Sequence, residues 1–167
     1  KLGIHGSNTA SLNFDNINVP VENMLGTLGR GFKIAMEILN TGRLGLASGC
    51  LGGCKMLVKM SAEHAKNRKQ FNRPIAQFEM MQEKIATMAA DTYAAESMVY
   101  LTTALADRKG LDYSLESAAS KIFVSETLWR VVNETMQIAG GIGYSKDYAY
   151  EQALRDARIN LIFEGTN

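Results

Sequence analysis

The sequence predicts a mainly helical protein, an up-and-down bundle of helices preceded by a short β segment. Three observations support this fold class. After residue 31, apolar residues recur every three or four positions, as on one face of a helix. Clusters of glycine, asparagine and proline separate these periodic segments. Before residue 30, apolar residues instead alternate with polar ones, as in a strand.

Composition excludes several classes of function. The 167 residues include 18 Lys and Arg against 17 Asp and Glu, a formal net charge of +1, so no nucleic-acid partner is expected. No apolar run approaches the ~18 residues of a membrane-spanning helix, so no membrane span is expected. Cys50 and Cys54 are interpreted as small buried packing residues, and the isolated histidines His5 and His64 predict no metal site.

The first segment reads as two short strands joined by a turn. Leu12 and Phe14 alternate with polar neighbours, and Ile17 and Val19 do the same before Pro20. Two short strands cannot bury a face by themselves. Residues 1–28 are therefore predicted to be the tail of a neighbouring β domain, and residues 29–167 to be the helical bundle.

The first helix is predicted from residue 31 to about residue 64. Its middle contains Gly45, Gly49 and Gly53 at intervals of four. Each glycine costs about 1 kcal/mol in a helix interior relative to alanine, so the spacing indicates the close approach of another backbone or of a ligand. Tight packing within the bundle is the favoured interpretation, and room for a ligand is the alternative.

The second helix is predicted over residues 77–107, after a loop that contains Asn67, Asn72 and Pro74. Residues spaced three and four apart predict its packing seam: Phe78, Met81, Ile85, Met88, Thr92, Ala95, Val99 and Thr102. The methionines of this helix are interpreted as core residues, with an adaptable ligand surface as the alternative.

The third helix is predicted over residues 114–138, with Ser114 as its N-cap. Its predicted apolar face consists of Ala118, Ile122, Leu128, Trp129, Val132 and Met136. Gly140, Gly141 and Gly143 end this helix. A shorter fourth helix is predicted over residues 148–158.

Three short segments carry groups suited to catalysis or ligand binding. Glu164 follows three apolar residues and precedes a glycine, a setting that suits a general base, with a surface carboxylate as the alternative. Residues 68–70 offer a guanidinium, an ammonium and an amide, which suit a pyrophosphate, with a solvated loop as the alternative. Residues 137–141 offer an amide and bare backbone to a phosphate or ribose, with a glycine C-cap as the alternative.

Taken together, these motifs resemble the acyl-CoA dehydrogenase family in order and spacing. The motifs are Arg68-Lys69-Gln70-Phe71, Gln137 to Gly141, Leu154-Arg155-Asp156-x-Arg158 and Phe163-Glu164-Gly165-Thr166-Asn167. The opening Leu2-Gly3-Ile4 and Val19-Pro20 are also similar to the family, so the resemblance covers essentially the whole chain. It is strongest for the very-long-chain branch and a mitochondrial paralogue that assists assembly of respiratory complex I. The resemblance implies a C-terminal helical bundle without its last helix, preceded by the end of a middle β domain.

The resemblance also implies a reaction. Members of the family oxidise a fatty acyl-CoA to the trans-2-enoyl-CoA: a base removes the α-proton while the β-hydrogen leaves as hydride to N5 of FAD. Electron-transfer flavoprotein would be the electron acceptor, and a homodimer would share FAD across its subunits. The implied location is mitochondrial, in the matrix or at the inner membrane. The alternatives are a scaffolding or assembly protein that reuses the fold, and a helical interaction module without a cofactor.

The residues that match the family's site are carried over as expectations. Glu164 matches the base; some branches place it on the first long helix instead, where the matching residues 42–45 include no carboxylate here. The expected substrate contacts are a turn of Asn40, Thr41, Gly42 and Arg43, with Phe163 and Gly165 beside the thioester. The expected FAD contacts are Arg68, Lys69 and Gln70 at the diphosphate, Gln137, Ile138, Ala139, Gly140 and Gly141 toward the adenosine half, and Thr166 and Asn167 at the flavin. No metal is expected.

Overall fold

The computed structural model describes residues 1–167 and has four α-helices. They are α1 (Gly31–Asn67), α2 (Glu79–Ala106), α3 (Ser114–Ala139) and α4 (Ala149–Ala157). Single 3-10 turns lie at Val21–Asn23, Ile75–Gln77, Gly140–Tyr144 and Arg158–Leu161. The predicted mainly helical bundle and the order of its helices are confirmed. None of the helices combines the length and the apolar character needed to cross a bilayer.

The core lies where α1 packs along α3, the most extensive helix contact, with α2 against both. Leu57, Val124 and Val131 are among its buried side chains. The seam predicted for α2 is confirmed over its central and C-terminal turns, where Met88 and Val99 are buried. Cys50 and Cys54 are buried free thiols, and burial raises their pKa to about 11 and about 12 respectively.

The predicted apolar face of α3 is partly wrong. Leu128 and Val132 are buried as expected, but Ile122 is 45% exposed. The buried stripe also holds small hydroxyl residues that a hydrophobic pattern does not detect, and several of them form hydrogen bonds to other helices. Ser120 pairs with Thr102 of α2 at 2.7 Å, for example. These hydrogen bonds satisfy the hydroxyl groups, so α3 can bury polar side chains without an unpaired donor.

The start of α3 also differs from the prediction of Ser114 as N-cap. Ser114 is the first helical residue and Tyr113 occupies the N-cap position. The cap bond comes from Asp112, whose carboxylate accepts the Ser114 N–H at 2.9 Å. This bond holds the pKa of Asp112 below its ordinary value. A carboxylate two residues earlier therefore takes the role predicted for the serine hydroxyl.

The two strands predicted before residue 20 are not formed. Residues 10–20 are exposed and have no ladder of backbone hydrogen bonds, because the chain supplies no neighbouring strand. The first residues instead contact α4: the Ile4 N–H donates to Asp156 Oδ1 at 2.6 Å, and Arg155 donates to the Leu2 carbonyl. A Cβ at Gly3 would lie 2.4 Å from that carboxylate, so this contact requires glycine. The assignment of residues 1–28 to a β domain stays a prediction.

A small hairpin occupies the loop predicted between the first two helices. Its strands are β1 (Lys69–Gln70) and β2 (Arg73–Pro74), paired antiparallel. The two residues between them, Phe71 and Asn72, have φ of 51° and 64°. Positive φ at both positions is the geometry of a type I′ turn, which asparagine tolerates well. The hairpin thereby projects an 86% exposed Phe71 ring from the end of α1.

Candidate functional site

The Glu164 carboxylate lies directly over the backbone of α1. Glu164 and Gly165 follow the last 3-10 turn and have φ of 56° and 93°. A Cβ at Gly42 would be 2.9 Å from Glu164 Oε2 and 3.2 Å from its Cδ. Residue 42 must therefore lack a side chain for the carboxylate to keep this position.

Arg43 links α1 to residues 162–167, which we call the Glu164 loop. Its Nε donates to the Glu164 carbonyl at 3.1 Å, and another guanidinium nitrogen donates to Asn40 Oδ1 at 3.3 Å. Thr41 pairs with the Tyr113 hydroxyl at 3.2 Å on the neighbouring surface. This segment lies within the predicted first helix, since α1 runs from residue 31 to residue 67 without a break. One helical turn of α1, residues 40–43, thus lies beside the predicted base.

Lys121 holds the same loop from α3, and sequence reasoning missed it. Its side chain is 1% exposed, and Nζ donates to the Gly165 carbonyl at 2.5 Å and to Asn167 Oδ1 at 2.6 Å. Burial and the nearby Arg43 guanidinium lower the pKa of Lys121. The sequence contains one signal for this role: Lys121 lies three residues before Val124, so both residues are on the buried face of α3.

A cavity of about 610 Å³ opens beside Glu164. We call it the glycine-lined cavity; its wall combines α1, α3 and α4 with the first segment and the Glu164 loop, and includes Gly42, Gly49, Gly53, Leu128, Ala153, Phe163 and Glu164. Among the predicted substrate residues it therefore brings together Gly42 and Phe163 with the candidate base.

Tight packing within the bundle, the favoured interpretation of the glycine spacing in α1, does not hold for most of these positions. A Cβ at Gly45, Gly49 or Gly52 would meet no atom within 4 Å, so tight packing does not explain these positions. Of the three glycines at intervals of four, only Gly53 packs closely, with its Cβ position 3.1 Å from Leu128 Cδ1. Gly49 leaves open space in the wall of the glycine-lined cavity, which agrees with the alternative of room for a ligand, whereas Gly45 and Gly52 are exposed outside that wall.

A second cavity, of about 410 Å³, lies at the other end of α1. We call it the Arg68 cavity; it is lined by His64, Arg68, Gln70, Ile75 and residues 138–142. It therefore unites the two segments predicted to hold a diphosphate and an adenosine. Lys69 and Gln137 are exposed and lie outside its wall; Gln137 lines a neighbouring cavity of about 350 Å³ with Tyr144.

The Arg68 cavity offers positive charge beside accessible backbone. Arg68 forms no ion pair within the chain. A Cβ at Gly140 or Gly141 would meet nothing within 4 Å, and Gly140 has φ of 63°. Burial and the Arg68 guanidinium lower the pKa of His64, which favours its neutral form. A free guanidinium, an amide and bare backbone together can bind a phosphate ester.

A third cavity, of about 590 Å³, separates α2 from α3 and contains none of the predicted site residues. Its rim carries two ion pairs, Lys84 with Glu134 and Arg130 with Asp91. The structure also has no group of three or more His, Cys, Asp or Glu side chains arranged to hold a metal ion. The candidate site is accordingly built from the Glu164 loop and the Arg68 cavity.

The bundle thus places a carboxylate against its longest helix and a cationic cavity at that helix's far end. Residues 29–167 match the family model for the acyl-CoA dehydrogenase C-terminal domain, and the chain belongs to the acyl-CoA dehydrogenase family.

Known proteins give a consistent comparison. The chain is 48% identical over 167 residues to the mitochondrial very long-chain specific acyl-CoA dehydrogenase of Bos taurus, covering 100% of this chain and 26% of the bovine protein. The solved butyryl-CoA dehydrogenase of Megasphaera elsdenii superposes with a TM-score of 0.96 at 40% identity, over 100% of this chain and 43% of that one. An acyl-CoA dehydrogenase of Bacillus anthracis, solved in complex with FAD, gives a TM-score of 0.85 at 45% identity, over 89% of this chain and 29% of that one.

Proposed function

We propose that this chain is the C-terminal part of an FAD-dependent acyl-CoA dehydrogenase that oxidises long-chain or very-long-chain acyl-CoA to trans-2-enoyl-CoA. The observation that carries the proposal is the Glu164 carboxylate, which lies against Gly42 beside the glycine-lined cavity. A carboxylate in a fixed direction beside an open cavity is what abstraction of a proton from a bound thioester requires.

The proton transfer assigns one role to each residue of the loop. Glu164 accepts the α-proton on a carboxylate oxygen as the α-carbon–hydrogen bond breaks. Gly165 leaves backbone open beside it, and Phe163, 41% exposed, supplies an apolar surface for the substrate. FAD, when bound, would supply the acceptor for the β-hydrogen and its electron pair, which leaves a double bond between the α- and β-carbons.

The glycine-lined cavity supports a long acyl chain as the substrate. Gly49 lines this cavity and its Cβ position meets no atom within 4 Å, which leaves apolar tail space that a larger side chain would fill. Leu46, Met56 and Leu57 add apolar wall to the same cavity. Burial of a tail against such a wall contributes about 0.8 kcal/mol for each methylene removed from water. The residues of α1 near the mouth, Asn40 to Arg43, would then lie at the thioester end.

The residues of the Arg68 cavity fit FAD. Arg68 would bind the diphosphate, Gln70 would donate its amide to the same group, and the open backbone of Gly140 and Gly141 would face the ribose and adenine. The fit rests on the unpaired guanidinium and on the empty space above both glycines. Thr166 and Asn167, beside the base, would contact the flavin ring.

The spacing of the two sites supports a homodimer. Gly42 and His64 both lie on α1, and 22 residues of helix at ~1.5 Å each separate them by ~33 Å. In a single FAD molecule the diphosphate lies much closer to the flavin ring than that. The Arg68 cavity of one subunit would therefore serve the FAD beside Glu164 of another. Electron-transfer flavoprotein as oxidant and a mitochondrial location of the complete protein belong to the same proposal.

Flavin reduction by acyl-CoA tests this function. We expect the complete protein that carries this chain to purify with bound flavin, and its oxidised flavin absorbance to disappear when acyl-CoA is added without oxygen. A series of saturated acyl-CoA substrates would show the fastest reduction with long chains. Bound flavin that no acyl-CoA reduces would contradict the enzyme and favour the assembly role, and a colourless protein would contradict the cofactor.

Arg68→Ala should weaken FAD binding about 10- to 100-fold, because a hydrogen bond between charged groups contributes roughly 1.5–3 kcal/mol. Titration of the flavin-free protein with FAD measures the dissociation constant. Arg108→Ala is the matched control, since Arg108 is also exposed and forms no ion pair. Equal FAD affinity for the two variants would remove Arg68 from the proposed site.

A further inference from the structure

We propose that Lys121 is a positioning residue for the candidate base, acting through the peptide groups that follow Glu164. This inference rests on the proposed function, because it gives Lys121 a role in the proton abstraction assigned to Glu164. Lys121 lies on α3, and the contact that carries the inference is its Nζ on the Gly165 carbonyl at 2.5 Å.

Two cations hold two consecutive carbonyls of the loop from different helices. Arg43 of α1 donates to the carbonyl of Glu164, and Lys121 of α3 donates to the carbonyl of Gly165. Fixing both carbonyls fixes the peptide planes on either side of Gly165. Only the first of these planes adjoins residue 164, so Arg43 constrains the direction of the Glu164 side chain directly, whereas Lys121 acts one peptide further on by limiting rotation about the dihedrals of Gly165.

A second contact extends the hold to the end of the loop. Lys121 also donates to Asn167 Oδ1 at 2.6 Å, and the Asn167 amide donates to Ser125 Oγ at 2.9 Å and to Glu126 Oε1 at 3.0 Å. Lys121, Ser125 and Glu126 lie within two turns of α3, so one rigid helix contacts both sides of the Thr166 position. Thr166 contributes only a bond back to the Ile162 carbonyl.

The loop needs such a hold because its backbone is strained. Glu164 has φ of 56°, and a non-glycine residue in this left-handed region carries an energetic cost. Surrounding contacts must supply that energy for the conformation to persist. A buried amine is itself unfavourable unless its donors are satisfied, and Lys121 satisfies two of its donors on this loop alone. Both hydrogen bonds of the amine therefore go to this loop.

Lys121→Met in the complete holoenzyme tests the inference, because methionine keeps the length of the side chain and removes every donor. The two acceptors that lose a donor, the Gly165 carbonyl and Asn167 Oδ1, belong to exposed residues that water can hydrate, so the loss of stability should be small. We expect the limiting rate of flavin reduction at saturating acyl-CoA to fall about 10- to 100-fold, as for a reacting group displaced by about 1 Å. FAD content, acyl-CoA affinity and unfolding temperature should stay close to those of the wild type. Lys84→Met is the control, since Lys84 is a partly buried lysine paired with Glu134 away from the loop.

The outcomes separate this inference from the proposed function. Wild-type protein whose flavin acyl-CoA does not reduce would overturn both. Wild-type reduction with a Lys121→Met rate within about twofold would overturn the positioning role alone. A parallel loss of rate, acyl-CoA affinity and FAD would also overturn it, because a purely structural residue gives that pattern. If Lys121→Met does not fold, Lys121→Gln decides: its side chain is shorter and uncharged, and an unchanged limiting rate would show that the ammonium is not needed and would reject the inference.

Discussion

Glu164→Gln is expected to slow flavin reduction by acyl-CoA about 10²- to 10⁴-fold, the contribution typical of a general base. Glutamine keeps the shape of the side chain over Gly42 and the backbone bond from Arg43, so the loop should keep its conformation. The amide cannot accept the α-proton, because it has no basic oxygen at neutral pH. The limiting rate should therefore fall while FAD and acyl-CoA still bind. Anaerobic stopped-flow absorbance of the flavin measures this rate directly.

Glu63→Gln is the matched control for this variant. Glu63 lies on the outer face of α1, where it pairs with Lys59 and its side chain is 60% exposed. Its substitution removes the same charge from the chain without touching the loop. A Glu164→Gln rate near that of the control would show that another group takes the proton, and would end the assignment of Glu164 as the base.

Leu57→Ala should cause the largest loss of stability among the single changes considered. Leu57 is 2% exposed and belongs to the core cluster formed with α3. Truncating a buried leucine removes apolar contacts and leaves a cavity, which costs about 2–5 kcal/mol in comparable cores. The denaturant midpoint of the chain, followed by the helical circular dichroism signal, should fall accordingly.

Leu101→Ala provides the comparison for that experiment. Leu101 is on α2 with 64% of its surface exposed, so the same truncation there should change the free energy of unfolding by no more than about 0.5 kcal/mol. Both variants lose the same atoms from an α-helix, and the difference between them isolates burial. Similar midpoints for the two proteins would contradict the core as described.

The helices could be predicted because each carries its own periodic pattern and ends at residues that break a helix. On α2, Met88, Thr92, Ala95 and Val99 recur at intervals of three and four, and all are buried. This signal is local and needs no knowledge of the partner helix. For the same reason it failed on α3, where serines and Lys121 fill buried positions that only the hydroxyl and carbonyl partners on other segments make acceptable.

The candidate site could be predicted as a set of segments but not as a geometry. The motif around Arg68 and the glycines at 140 and 141 share one cavity although some seventy residues separate them in the chain. Their family resemblance brought them together; their spacing alone could not. The contact of Glu164 with Gly42 depends on a positive φ at residue 164. Propensity gives no reason to expect that conformation in glutamate.

Glu164 Oε2 lies 2.9 Å from the position that a Cβ of residue 42 would occupy. A carboxylate can therefore reach this point either from the Glu164 loop or from residue 42 of α1. An acidic side chain rooted at residue 42 would occupy the volume that the Glu164 carboxylate fills now. The two carboxylates would exclude each other, but either alone would deliver an oxygen to one region of the cavity wall. Under the proposed function, the base is therefore defined by a location in space, which a carboxylate at either sequence position could supply without a change in the bundle.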